Sequence, residues 1–141
     1  MRHALLDSSI YVSALRHREA AAAVEQLTAE TVLWLSAVVL EELYAGTREA
    51  DRGVIDQWER DFDKAGRILV PNLSDWIYAG KVLRRLADKY DYEKIGRGRL
   101  TNDALIALSA ARMDIRVITA NEKDFRKLAE FCSFPWQLAA L

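Results

Sequence analysis

Short apolar or β-branched runs alternate with helix-forming stretches along almost the whole of this sequence, and that alternation limits the folds open to it. Residues 4–6 read as a buried first strand that stops at Asp7. Residues 32–35 (VLWL), 68–70 before Pro71, and Val117 with Ile118 read as further strands, and the tail FCSFPW as a last edge strand. Helices are expected between them at 9–15, 19–28, 37–45, 49–64, 74–86, 101–112 and 122–128. Gly46 reads as a C-cap and Ser74 as an N-cap. In 49–64, Val54, Ile55, Trp58 and Phe62 recur every three or four residues, which predicts one buried stripe. The two glycines of IGRGR, residues 95–99, mark a loop. Strands separated by helices are joined by crossovers, so the expected fold is α/β. Its central parallel sheet has four to five strands covered by helices on both faces. No repeat, low-complexity tract or linker divides the sequence, which predicts a single domain over residues 1–141.

Composition narrows the function classes. Half the residues are hydrophobic and only two are proline, so a packed core is expected rather than disorder. The formal charge is −1, which gives no global signal for nucleic acid, but the charge is uneven. From Glu41 to Asp63 there are eight acids and three bases, and from Lys81 to Arg99 seven bases and three acids. Cys132 is the only cysteine, which excludes an internal disulfide or a thiolate cluster and points to a reducing setting. MRHALLDSSI reaches an acid after two leucines, too early for a signal-peptide core, and no apolar run is long enough to span a membrane. A cytoplasmic location is the expectation.

Four carboxylates stand out: Asp7 in LLDSSI, Glu42 in VVLEELYAG, Asp103 in LTNDALIALSA and Asp124 in VITANEKDF. Three of them lie at or near the ends of strand-like runs, where open α/β sheets build their sites. Each also has a purely structural explanation. Asp7 suits a helix N-cap, Asp103 complements a helix dipole, and Asp124 follows Asn121 in a loose capping box. Glu42 shares a packed helical stripe with Val39, Leu43 and Gly46, where an ionised group needs a partner, a metal or a wet cleft. Glu41, a quarter-turn away, is not separable from it on these grounds. If the four converge, the pocket needs a cation, because two carboxylates ~5 Å apart repel by roughly 3 kcal/mol at an effective dielectric of ~20. Hard oxygen donors suit Mg²⁺ or Mn²⁺.

Other chemistries are poorly supported. His3 and His17 lack ligand spacing, Ser8 and Ser9 lack a nucleophile elbow, and GRGR lacks the residues of a Walker loop or a dinucleotide fingerprint. Trp34, Trp58, Trp76 and Trp136 read as core or interface anchors.

Taken together, LLDSSIYVSAL, SAVVLEELYAG, LTNDALIALSA and VITANEKDF resemble the four motifs of PIN domains, and more narrowly the VapC-type toxin ribonucleases of toxin–antitoxin pairs. The resemblance runs from Asp7 to Phe125 and implies a three-layer PIN-like fold. It implies that Asp7, Glu42, Asp103 and Asp124 form a catalytic, metal-binding quartet, and it selects Glu42 over Glu41 because Glu42 precedes Leu-x-x-Gly. Ser8, Thr119 and Asn121 match supporting polar positions, and Ser9 stands where the family often has asparagine. The implied activity is Mg²⁺- or Mn²⁺-dependent hydrolysis of structured RNA such as tRNA or rRNA, with Asp7 and Asp103 as the main ligands. Arg84, Arg85, Arg97 and Arg99 are candidates for holding the RNA, with Lys81 and Lys94 beside them. The implied partners are a VapB-like antitoxin and a second copy of the chain, and the alternation around Trp58 and Phe62 is one candidate for an antitoxin groove. Two alternatives remain at this stage: a PIN-like module that binds RNA or a partner without cutting, and a receiver-like signalling domain. The second lacks the expected aspartate after the third strand, where Val70-Pro71-Asn72 stands.

Overall fold

The computed structural model describes residues 2–91 and 97–139, with the backbone alone at 97–99. Five strands form one parallel sheet: β1 (His3–Leu6), β2 (Val32–Ser36), β3 (Ile68–Leu69), β4 (Arg116–Thr119) and β5 (Trp136–Leu138). Their order is β3-β2-β1-β4-β5, so the first strand is central. It pairs with β2 through His3↔Val32 and with β4 through Leu6↔Ile118. Seven helices flank the sheet among the described residues: α1 (Ser8–Arg16), α2 (Arg18–Glu30), α3 (Ala37–Gly46), α4 (Arg52–Lys64), α5 (Leu73–Lys89), α6 (Arg97–Arg112) and α7 (Glu122–Ala129).

Strand order grows outward from β1 to β3 and then jumps back to β4. Since parallel crossovers are right-handed, that reversal sends the two sets of helices to opposite faces. The packing agrees: α1 contacts α2 and α3, and α3 contacts α4, while α5, α6 and α7 contact one another. The result is the three-layer α/β fold expected. The order reverses between β1 and β4, and the carboxyl ends of strands at such a point are where open α/β sheets build their sites.

Strand residues alternate little between buried and exposed, as both faces are covered. Leu5, Leu6, Leu35, Val117 and Ile118 join Val39, Leu43, Ile55, Leu86, Leu105, Ile106 and Phe125 in one core. Helix α6 is buried at every position from Asp103 to Ala110, which marks it as the central helix of its layer.

Several boundaries differ from expectation. Gly46 is the last residue of α3 rather than a left-handed cap. The chain leaves through extended Thr47, whose N–H and hydroxyl both donate to the Leu43 carbonyl. Helix α5 starts at Leu73, and its cap is Asn72 rather than Ser74, in a reciprocal capping box with Asp75. Residues 49–51 form a 3-10 turn ahead of α4, and on α4 Val54 is exposed while Ile55 is buried. Arg97 to Arg99, expected in a loop, belong to α6; Gly98 falls in its first turn, where a helix has the fewest internal bonds to lose. The last strand begins at Trp136, where the FCSFPW tail ends.

Candidate active site

Asp7 caps α1 immediately after β1, and its own backbone N–H donates to Ile118 of β4, so sheet pairing fixes its position. The side chain is buried. Oδ1 accepts from the Ser9 N–H at 3.1 Å and the Ser9 hydroxyl at 2.5 Å, and Oδ2 accepts from the Thr119 hydroxyl at 2.5 Å. Burial raises the Asp7 pKa, and the hydrogen bonds from Ser9 and Thr119 oppose that rise. Ser9 also accepts from the Ala120 N–H at 3.3 Å, which ties α1 to the loop after β4.

Thr119 extends the network. Its hydroxyl accepts from the Asn121 N–H at 2.9 Å, and Asn121 donates from Nδ2 to Oδ2 of Asp124 at 3.0 Å. Asn121 is also the N-cap of α7, accepting from the Asp124 N–H. Asp124 is buried. A continuous path therefore runs from Ser9 through Asp7, Thr119 and Asn121 to Asp124. The structural explanations for Asp7 and Asn121 hold as well: both are caps, and both serve the network.

Glu42 enters from α3. It is half-buried, and Glu41 beside it is exposed. Its pKa is raised, first by burial and further by the charges of Asp7 and Glu41, while hydrogen bonds with Asn102 and Ser8 lower it. Its Oε1 is buried without a hydrogen-bond partner among the described residues. Asp103 is buried on α6, one residue after Asn102. The structure thus links Asp7, Glu42 and Asp124 electrostatically or through hydrogen bonds, and Asp103 follows directly on the residue that meets Glu42. Sequence reasoning missed Asn102, since nothing in LTNDALIALSA says that the asparagine faces a helix from the first half of the chain.

Arg84 and Arg85 are exposed on α5, and Arg84 pairs with Asp88 at 3.3 Å. The side chains of Arg97 and Arg99, and all of Lys94, fall outside the described residues. Trp58 and Phe62 are half-buried and pack on the core, Trp58 against the Tyr11 ring at 4.9 Å.

The sequence matches the family model of the PIN domain over residues 4–131. The chain belongs to the PIN domain family. No curated protein matches it. Among solved structures, DNA-bound VapBC from Salmonella typhimurium is similar at 19% identity with a TM-score of 0.66, the match covering 98% of each chain. VapBC2 from Rickettsia felis, bound to a promoter DNA fragment, matches at 20% identity and a TM-score of 0.62, covering 96% of this chain and 97% of that one. VapBC-1 from nontypeable Haemophilus influenzae matches at 20% identity and 0.59, covering 94% and 95%. At these identities the likeness is one of fold.

PIN nucleases typically use divalent metals. Among the described residues, no group of three or more His, Cys, Asp or Glu side chains is arranged to hold a metal ion as it stands. The donor chemistry nevertheless fits a hard cation. Mg²⁺ commonly takes one or two carboxylates and fills the rest of its shell with water and substrate phosphate. Asp7 and Glu42 supply two mutually repelling carboxylates, one of them with an unsatisfied buried oxygen.

Proposed function

We propose that this chain, as one PIN domain over its whole length, is a metal-dependent endoribonuclease and the toxin of a VapBC-type pair. The observation that carries the reading is the Asp7–Thr119–Asn121–Asp124 network facing Glu42 at the sheet's point of reversal. Asp7 and Asp103 are the proposed main ligands of a Mg²⁺ or Mn²⁺ ion, with Glu42 and Asp124 completing the quartet. Such an ion, when bound, supplies a water of lowered pKa and neutralises charge on the attacked phosphate. Glu42 Oε1 orients the attacking water, and Ser9 and Thr119 keep Asp7 in place. Asn121 does the same for Asp124, and Asn102 and Ser8 do so for Glu42.

Neither histidine is placed to deprotonate a ribose hydroxyl. His3 starts β1 at the opposite end of the sheet, with its Nδ1 accepting from Trp34, and His17 is exposed between α1 and α2. Direct attack by water leaves a 5′-phosphate and a 3′-hydroxyl. Incubating the purified chain with total small RNA, with Mg²⁺, Mn²⁺ or chelator, tests this. Discrete metal-dependent cuts carrying 5′-phosphates are expected, absent in Asp7→Asn, whereas 2′,3′-cyclic ends would overturn the mechanism. Metal binding without cleavage would leave a PIN module that binds RNA or a partner without cutting.

The proposed partners are a VapB-like antitoxin and a second copy of the chain, in the cytoplasm. No described helix is long and apolar enough to cross a membrane. Association is supported by the exposed apolar residues Leu73, Trp76, Ile77 and Tyr78 at the start of α5 and Val70 just before it.

A further inference from the structure

Beyond the acidic site, the C-terminal half of α7 and the end of α5 frame an open groove of about 540 Å³, lined by Tyr90, Arg126, Lys127, Ala129, Glu130 and Trp136. Its walls combine aromatic rings with cations. The Lys127 ammonium lies 4.9 Å from the Tyr90 ring centroid and that of Lys89 lies 5.3 Å from it, while the Arg126 guanidinium sits 5.7 Å above Trp136. Trp136 is itself held by stacking on Phe125.

The charges do not cancel. Arg126 pairs with Glu122, and Lys89 pairs with Glu130, which also accepts from the Tyr90 hydroxyl at 2.6 Å. Lys127 forms no salt bridge among the described residues, although its charge acts on Glu130 three residues on, and Lys123 lies four residues before it on an exposed turn. Like charges at that spacing cost a helix stability, although Lys127 also stands in the last turn of α7, where a cation complements the helix dipole. Lys127 also follows Asp124 by three residues, about 4.5 Å further along the helix axis on a neighbouring face. The groove therefore begins within one helical turn of Asp124.

We propose that this groove is a subsite for an unpaired stretch of RNA next to the cut, with a base stacked on Tyr90 and the backbone held by Lys127. This rests on the nuclease reading above and adds the residues that hold the substrate. Aromatic platforms beside backbone-tracking cations are how single strands are bound without readout of sequence.

The test uses the full chain carrying Asp7→Asn, so that RNA is bound but not cut, and a fluorescent single-stranded oligonucleotide titrated at several salt concentrations. Lys127→Ala is expected to weaken binding and to lower the slope of log affinity against log salt by about 0.7, the value of one phosphate contact on a single strand. Tyr90→Ala is expected to weaken binding about tenfold, and Tyr90→Phe to bind as the parent does. If Phe is as damaging as Ala, the hydroxyl's bond to Glu130 is what matters and the stacking role falls. If Lys127→Ala leaves both affinity and slope unchanged, the subsite falls. Cleavage by the otherwise native chain separates the two readings. Cutting with unaltered KM in Lys127→Ala overturns the subsite alone, and Lys127-dependent binding by a chain that never cuts overturns the nuclease alone.

Discussion

Tyr11 is fully buried against Trp58, yet its hydroxyl has no hydrogen-bond partner among the described residues, and burial pushes its pKa upward. An unsatisfied buried hydroxyl costs stability, so Tyr11→Phe should stabilise the protein by about 1 kcal/mol in urea unfolding. A loss of that size would mean the hydroxyl is satisfied in solution. The acids of the site behave similarly. The pKa values of Asp7 and Glu42 are raised, by burial above all, so the folded chain holds these protons more tightly than the unfolded one. The resulting stability is fully present below the ordinary carboxylate range and is lost as pH rises through the raised values. Metal-free protein should therefore melt at lower temperature as pH rises from acidic toward neutral. Asp7→Asn should flatten that trend and melt higher at neutral pH, by about 2–4 °C for each kcal/mol relieved. Melting curves in chelator check this, and a native curve that climbs with pH would contradict it. The four acids were singled out as candidates because each stands in or just beyond a run that needs burial, and Asp7, Asp103 and Asp124 are buried and Glu42 half-buried. Asn102 and the reach of Ser9 to Ala120 were not, because both are contacts between segments far apart in the chain.

At the level of elements, α5 shows what periodicity conveys and where it misleads. Its hydrophobic pattern is readable, but Leu73, which opens the helix, is 75% exposed. Reading the start from buried residues therefore places the cap at Ser74, whereas Asn72 and Asp75 form the actual capping box. Asp75 does more than cap. It is buried and takes both Nε and Nη2 of Arg112, with the Nη2 contact at 3.0 Å, which ties the start of α5 to the end of α6. Arg112→Ala should cost about 2 kcal/mol, as expected for hydrogen bonds to a charged group, read from the urea midpoint at unchanged m. Asp75→Ala should cost more, since it removes the capping box as well. Equal losses would mean that the box contributes little. The same gap between pattern and packing explains Val54: the spacing of α4 is amphipathic, but only Ile55 of that neighbouring pair faces the core.

For the whole molecule, alternation along the chain was enough to foresee a parallel sheet, but not the order of its strands. Order depends on where the connection from β3 returns, and the long α5 and α6 that make that return look like any other helices in sequence. The exposed residues of α5 were only partly foreseen, because Trp76 read equally as a core or an interface anchor. If these residues are where two copies meet, light scattering should find a dimer at micromolar concentration, and Trp76→Asp should yield a folded monomer with its melting temperature nearly unchanged. A native monomer would sink the prediction. The central position of β1 also sets a timetable for synthesis. Asp7 is made long before Ile118 and Thr119, on which its seat depends. A ribosome that has reached only α6 carries a chain with its first acid in place and half of that acid's support still untranslated. Domains of this size fold largely as units, so the nascent chain has no finished seat for Asp7 until β4 has been read. Products truncated before β4 should accordingly fail to seat Asp7.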